Sequence, residues 1–269
     1  MESARPQENY APLRENPLLY VIAVVDLVPI FNIEAYIPRV QDALRLAGYP
    51  LTTESQLNEL TITPEGVQVR QTQRWAFMNR ERTQGVSISE SKIAVETTAY
   101  TTFGDFRAVL EQTLSACDVG PRITQRLGVR YVNGLQPAPD ETFDQLFHER
   151  LAGFRGDFAG VSDTTFAILL QGQTSEGTFA VRVHQPPVAE PGTQETLLLS
   201  PDLSTGLKIP AKVDPSRKYR LLDFDHGAIE DSDFTVPHVI ERFDRLHDIL
   251  DEAFRTAVSQ DAYRRWAEA

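Results

Sequence analysis

The sequence predicts an α+β protein built from two similar halves, each running strand, helix, antiparallel meander, helix. Three observations predict it. A run of period-two alternation from Leu57 to Ala99 is broken by turn residues, which marks a meander of strands. Segments with apolar residues at helical spacing flank that run. The same order of patterns then begins again after Gly120-Pro121.

Residues 1–16 are polar, carry both charge signs and read as a flexible arm. Leu18–Ile30 (LLYVIAVVDLVPI) is rich in β-branched residues and predicts a central strand. Asn32 then offers a helix cap, and Ile33, Tyr36, Ile37, Val40, Leu44 and Ala47 recur at helical spacing up to Gly48. Pro38 falls early enough to make the first turn irregular. The alternation that follows divides into strands over Leu57–Thr63, Val67–Gln71, Arg74–Asn79, Val86–Ser89 and Ile93–Thr98, with turns at Pro64-Glu65-Gly66 and Thr83-Gln84-Gly85. Thr102 and Asp105 make a capping-box-like start for a helix whose apolar stripe is Phe103, Phe106, Leu110, Leu114 and Cys117.

The second pass predicts a strand over Arg122–Leu135 and a helix capped by Asp140 that carries Phe143, Leu146, Phe147 and Leu151. Strands over Thr164–Gln173 and Thr178–Gln185 flank the turn Thr174–Gly177. A Pro-rich stretch at Pro186–Pro191 precedes a short strand at Thr196–Leu199, and Pro201–Pro215 reads as extended loop. A strand at Tyr219–Asp225 and a long helix opened by Thr235 and Pro237 complete the chain. KIAVETTAYTTFGDF can be laid over YRLLDFDHGAIEDSDF, each passing from a strand into a helix start. The expected halves are residues 17–120 and 121–269 packed as one unit, with a duplicated TATA-binding-protein-like or helix-grip-like topology. That comparison is topological and carries no function.

Charge and cysteine content exclude some functions. Twenty-six basic against 38 acidic residues give a net charge of −12, a field that repels phosphate backbones and disfavours general nucleic-acid binding. It suits a protein partner with a basic surface, and a homodimer is compatible with it. One cysteine, Cys117, cannot form an internal disulfide, so the expected compartment is the cytoplasm. On the apolar stripe of a helix it reads as a small buried hydrophobe. The N-terminus lacks a hydrophobic signal region, and the apolar run near Leu18–Phe31, interrupted by Asp26 and Pro29, is too short to cross a bilayer.

No dinucleotide loop, P-loop, HExxH or GxSxG motif is present, and no cofactor or metal is expected. Two clusters could still hold a ligand or an ion. Asp223 and Asp225 project from one face of a strand, with His226 at its end and His238 and His184 as further nitrogen donors. Carboxylates so spaced more often line a solvated face or pair with arginine. Arg126, Arg130, Tyr131 and Asn133 form the other cluster. Thr124, Arg126 and Arg130 are expected on one strand face, with Gly128 leaving room between guanidiniums that could grip a carboxylate or phosphate. The competing expectation is a salt bridge from this strand to Asp223 or Asp225. His247, at the edge of the final helix's apolar stripe, reads as a packed residue, and Trp75, Phe77 and Tyr100 read as core before pocket.

The final helix has an acidic flank of Glu241, Asp244, Asp248, Asp251 and Glu252. Arg245 and Arg255 answer Glu241 and Asp251 at i,i+4, which leaves Asp244, Asp248 and Glu252 as a docking edge for a basic partner.

Three stretches carry a family resemblance: NPLLYVIAVVDLVPIFNIEAYIPRVQDAL, then TTAYTTFGDFRAVLEQTL with ITQRLGVRYVNGL, and RFDRLHDILDEAFRTAVSQDAYRRW. They resemble a sporadically distributed prokaryotic family of roughly this length, most specifically in the RLGVRYVN run from Arg126 to Asn133 and the LHDILDEAF helix. The resemblance brings no activity and no catalytic residues. Its patchy distribution implies an accessory gene that travels, as defence, toxin–antitoxin and immunity genes do. The function expected from the sequence is therefore a non-catalytic interaction module of such a system, such as an antitoxin, immunity factor or adaptor. The alternative is a small-ligand or metal-dependent enzyme built on the Asp/His or Arg cluster.

Overall fold

The computed structural model describes residues 13–63, 66–152, 165–186, 206–209 and 211–268. Its strands are β1 (Leu18–Leu27), β2 (Leu51–Thr63), β3 (Gly66–Met78), β4 (Gln84–Ile88), β5 (Lys92–Thr97), β6 (Ile123–Leu135), β7 (Phe166–Gln173), β8 (Thr178–Gln185) and β9 (Arg220–Asp233). The helices are α1 (Ile37–Leu46), α2 (Phe103–Ala116), α3 (Val236–Ala257) and α4 (Gln260–Glu268).

The expectation of two similar strand–helix–meander halves fails. All nine strands belong to one antiparallel sheet in the order β2-β3-β4-β5-β1-β6-β9-β8-β7. β1 and β6 are neighbours at its middle, paired from Leu18↔Asn133 to Leu27↔Thr124, so no boundary divides the sheet near residue 120. Among the described residues the sheet dominates, accompanied by four helices. The helix expected after Asp140 shrinks to a 3₁₀ turn at Phe143–Gln145, with Thr142 and Gln145 closing a capping box. Its backbone groups are used in tertiary pairing: the His148 amide donates to the Ala257 carbonyl (2.8 Å), and the Leu146 carbonyl accepts from the Ser259 amide (2.9 Å). Phe143 and Phe147 meanwhile lie against the Arg220 guanidinium, 4.0 and 5.6 Å from it.

Other boundaries moved for local reasons. The three strands expected between 57 and 79 are one long hairpin of β2 and β3, paired continuously from Leu51↔Met78 to Thr63↔Gly66. Asn32 makes no side-chain cap; a 3₁₀ turn over Ile33–Tyr36 leads into α1, with Pro38 in its first turn. The turn before β4 runs over residues 80–83, with Arg82 in the left-handed region (φ 57°) and Gln84 and Gly85 already in the strand. β9 continues past Asp225 to Asp233. The last helix breaks at Val258, which is extended and bridges to Phe147, and α4 begins two residues later. α2 starts where expected, the Thr102 hydroxyl accepting from the Asp105 amide (3.1 Å).

The strand expected at Thr196–Leu199 and residues 1–12 of the expected arm lie outside the described residues. Within the arm, the Glu15 amide donates to the Trp266 carbonyl (3.0 Å), which ties the entry to β1 onto α4.

The helices cover one face of the sheet. That side holds the main core, with Val21, Ala23 and Val25 of β1, Leu127 and Val129 of β6, and Leu222 and Phe224 of β9 packed beneath α2 and α3. Alternate residues of the same strands, Tyr20, Ile22, Val132 and Leu221, form a smaller cluster with Ala94 of β5 on the opposite face. Among the described residues no helix is long and apolar enough to cross a membrane.

Candidate functional site

Alternation along β6 and β9 splits each sequence cluster between two faces. Arg130 and Asp223 lie on the face away from the helices, where the guanidinium grips the carboxylate with two bonds of 2.8 and 2.9 Å. Arg182 of β8 adds contacts to Asp223 (3.3 Å) and to Asp225 (3.6 Å). Arg126 reaches Asp26 of β1 (3.5 Å). The space the glycines leave is taken by Arg126 itself, since a Cβ added at Gly227 would lie 2.9 Å from its Nη2. Thr124 does not share the arginine face in the expected way: a register shift separates it from Arg126, and it is fully buried. This face is a self-compensated row of ion pairs.

His226 is on the helix side, apart from Asp223 and Asp225. It is fully buried, with Nε2 2.8 Å from the Thr174 hydroxyl and Nδ1 3.3 Å from the Leu246 carbonyl. A carbonyl only accepts, so Nδ1 carries the proton and Nε2 accepts from Thr174. Burial pushes its pKa down. The grouping of Asp223, Asp225 and His226 is thus broken by the period of the strand. His238 sits instead beside Glu230 (3.6 Å). Among the described residues no three His, Cys, Asp or Glu side chains are grouped so as to hold a metal ion.

Tyr131 and Asn133, on the helix side of β6, belong to a different site. Asn133 is buried and donates to the Leu222 carbonyl (3.1 Å). The Tyr131 hydroxyl lies 2.8 Å from Nδ1 of His247, which α3 brings over the sheet. Tyr100, at the exit of β5, packs beside Tyr131, with ring centroids 5.9 Å apart. Phe103, in the first turn of α2, stacks on the His247 ring at 3.6 Å and an interplanar angle of 8°. A cavity of about 270 Å³ opens here, walled by Tyr100, Tyr131, His247, Asp251, Phe254 and Tyr263.

The electrostatics favour the neutral forms of His247, Tyr131 and Tyr100. Burial, reinforced by the nearby Arg255 cation, pushes His247 down to about 4. Burial raises the Tyr131 and Tyr100 phenols above their ordinary value. Asp251 is also raised, by burial first, while its i,i+4 partner Arg255 opposes the shift. A neutral imidazole with Nδ1 bonded to a phenol leaves Nε2 free to be donor or acceptor, depending on which way the Tyr131–His247 proton points. No described residue takes up that nitrogen. The arrangement is suited to hydrogen-bonding a polar atom on an otherwise flat, apolar ligand.

The acidic flank of α3 is less open than its sequence suggests. Asp244 is paired with Arg107 of α2 (2.9 Å), a partner far along the chain. Glu241 pairs with Arg245 (2.6 Å), as the helical spacing predicts. Asp248 and Glu252 are exposed. Burial, then the Asp244 charge, raises the Asp248 carboxyl.

The sequence pointed to Tyr131, Asn133, Tyr100 and His247 separately, with no sign that they meet. The one signal was alternation on β6, which already separates Tyr131 and Asn133 from Arg126 and Arg130. No family model, curated protein or solved structure matches this chain.

Proposed function

We propose that this protein binds a small organic molecule in the cavity bounded by Tyr100, Tyr131 and His247. The observation that carries the reading is the unspent Nε2 of a neutral, phenol-bonded His247 inside an aromatic-walled cavity of about 270 Å³. Ligand sites are typically concave and apolar with a few convergent polar groups, and this one combines five aromatic rings with an imidazole, two amides and the Asp251–Arg255 pair. The test is a ligand-detected NMR screen of small fragments against the wild type and Thr101→Trp. Thr101 is an exposed lip residue of the cavity, so the bulky ring should close the opening without disturbing the core. Hits lost in Thr101→Trp support the reading, and hits insensitive to it reject the site.

A second reading is favoured by Asp248 and Glu252: docking of a basic protein partner along the exposed edge of α3, as an interaction module of a mobile accessory system would need. Asp244 no longer contributes a free charge, so the edge consists of two carboxylates. Asp248→Lys with Glu252→Lys should abolish a salt-sensitive partner captured by the wild type; undiminished capture would reject this edge.

A further inference from the structure

The cavity's surroundings restrict the chemistry of the ligand, an inference that rests on the small-molecule reading above. Beside the inner cavity is a cleft of about 880 Å³, and the two share Leu13, Asn16, Tyr100, Thr101 and Thr102 in their walls. The inner space is aromatic, and the charges in its wall, Asp251 and Arg255, are paired with each other. The outer one is cationic: Arg14, Lys212, Arg217 and Arg265 line it, against Glu15 and Glu141.

Pairing decides what these charges can offer. Arg265 is committed to Glu141. Arg14, Lys212 and Arg217 make no ion pair with any described residue, and Glu15 alone remains to oppose them. The Lys212 ammonium donates to the main-chain carbonyls of Asn16 (2.9 Å) and Leu18 (2.8 Å), which fixes its position and leaves its third N–H unspent. Arg217 is held by the Pro137 carbonyl (2.8 Å) and acts at longer range on Asp214, which does not line the cleft. Two cations are thus anchored through carbonyl oxygens, so neither is neutralised by the bonds that hold it.

We propose that the ligand has a planar aromatic head and an anionic tail, the head stacked in the Tyr100–Tyr131–His247 cavity and the tail, a carboxylate or a phosphate, in the cleft against Lys212 and Arg217. The head bonds His247 Nε2 through one polar ring atom. The tail takes the third N–H of Lys212 and the free edge of the Arg217 guanidinium.

The experiment is calorimetric titration of the full chain with a matched pair of probes, indole and indole-3-propionate, at low salt and in 0.5 M salt, a concentration at which the Debye length falls to roughly 4 Å. Indole-3-propionate should bind about tenfold more tightly than indole at low salt, as one charge-assisted contact supplies. Arg217→Gln and Lys212→Met should each remove most of that advantage and leave indole unchanged. Arg217 is exposed, so its replacement keeps the test valid if Lys212→Met fails to fold. Phenyl phosphate against phenol then separates the two tail chemistries. Equal affinity for indole and its acid overturns the anionic tail and leaves the cavity reading standing. If neither indole probe binds while fragment hits blocked by Thr101→Trp persist, the aromatic head is wrong and the cavity is still a site. If no probe binds and no such hits exist, both readings fall.

Discussion

Removing Arg130 is a direct test of the charged face. Its guanidinium makes two bonds of 2.8 and 2.9 Å to Asp223, with the side chains 18% and 9% exposed. Arg130→Ala would leave an almost buried carboxylate short of its main partner. Breaking a fully buried pair in this way costs about 3–5 kcal/mol. Here Arg182 remains 3.3 Å from Asp223, although its side chain is 41% exposed and screened by water. The expected loss is therefore about 2–3 kcal/mol, below the fully buried range. Urea unfolding monitored by circular dichroism measures it, provided the m-value is unchanged. Arg130→Met with Asp223→Leu should recover much of the loss, because two apolar side chains replace a pair that was costly to desolvate. A change under about 0.5 kcal/mol for Arg130→Ala would mean that the pair is merely geometric. A double variant no better than the sum of the singles would refute the coupling.

Four further outcomes follow from particular contacts. His247 titrates near 4 in the folded chain and near 6.5 unfolded, so the unfolded state binds the extra proton first as the pH falls. Its stabilising contribution is full above about 6.5 and is lost between there and about 4; the slope of stability against pH in that window should flatten in His247→Phe, and an unchanged slope would place the titration elsewhere. Tyr131→Phe strands the imidazole Nδ1 and should cost about 1–3 kcal/mol in urea unfolding. Gly177→Ala should be more damaging still, since at φ 152° a Cβ would lie 2.2 Å from the Gly227 carbonyl oxygen; a thermal melt within a degree or two of wild type would contradict that close approach. Burial raises the Cys117 thiol to about 12, so a disulfide reagent should label it only on unfolding.

Much of the strand content was legible because it depends on local pattern. β1, β6 and β8 are apolar and β-branched enough to leave no alternative, and the capping of α2 by Thr102 is a four-residue signal. The misreadings arise where distant contacts decide. Phe143, Leu146, Phe147 and Leu151 have helical spacing, yet tertiary partners around Ala257–Ser259 and the Arg220 guanidinium hold the segment in a single turn. The duplicated-halves reading fails for the same reason. A repeated order of patterns does not reveal that β1 and β6 pair at the middle of one sheet, because strand order depends on which edges meet and not on which segments are strands.

The candidate site shows where such reasoning stops. Period two already places Tyr131 and Asn133 opposite Arg130, and that division is visible in eight letters of sequence. His247 could be placed on the margin of α3's apolar stripe from its spacing alone. What no local pattern contains is that α3 crosses β6 so that His247 meets Tyr131 at 2.8 Å, or that the start of α2 lays Phe103 flat on the imidazole. Asp244 makes the same point in the opposite direction. It lacks an i,i+4 partner and therefore looks free, until Arg107, 137 residues earlier, closes on it from the neighbouring helix. A charge count along one helix thus overstates its docking surface, while a lone histidine understates a site whose other walls lie on different elements. For this chain both errors favour the partner edge over the cavity, and correcting them moves the weight to Tyr100, Tyr131 and His247.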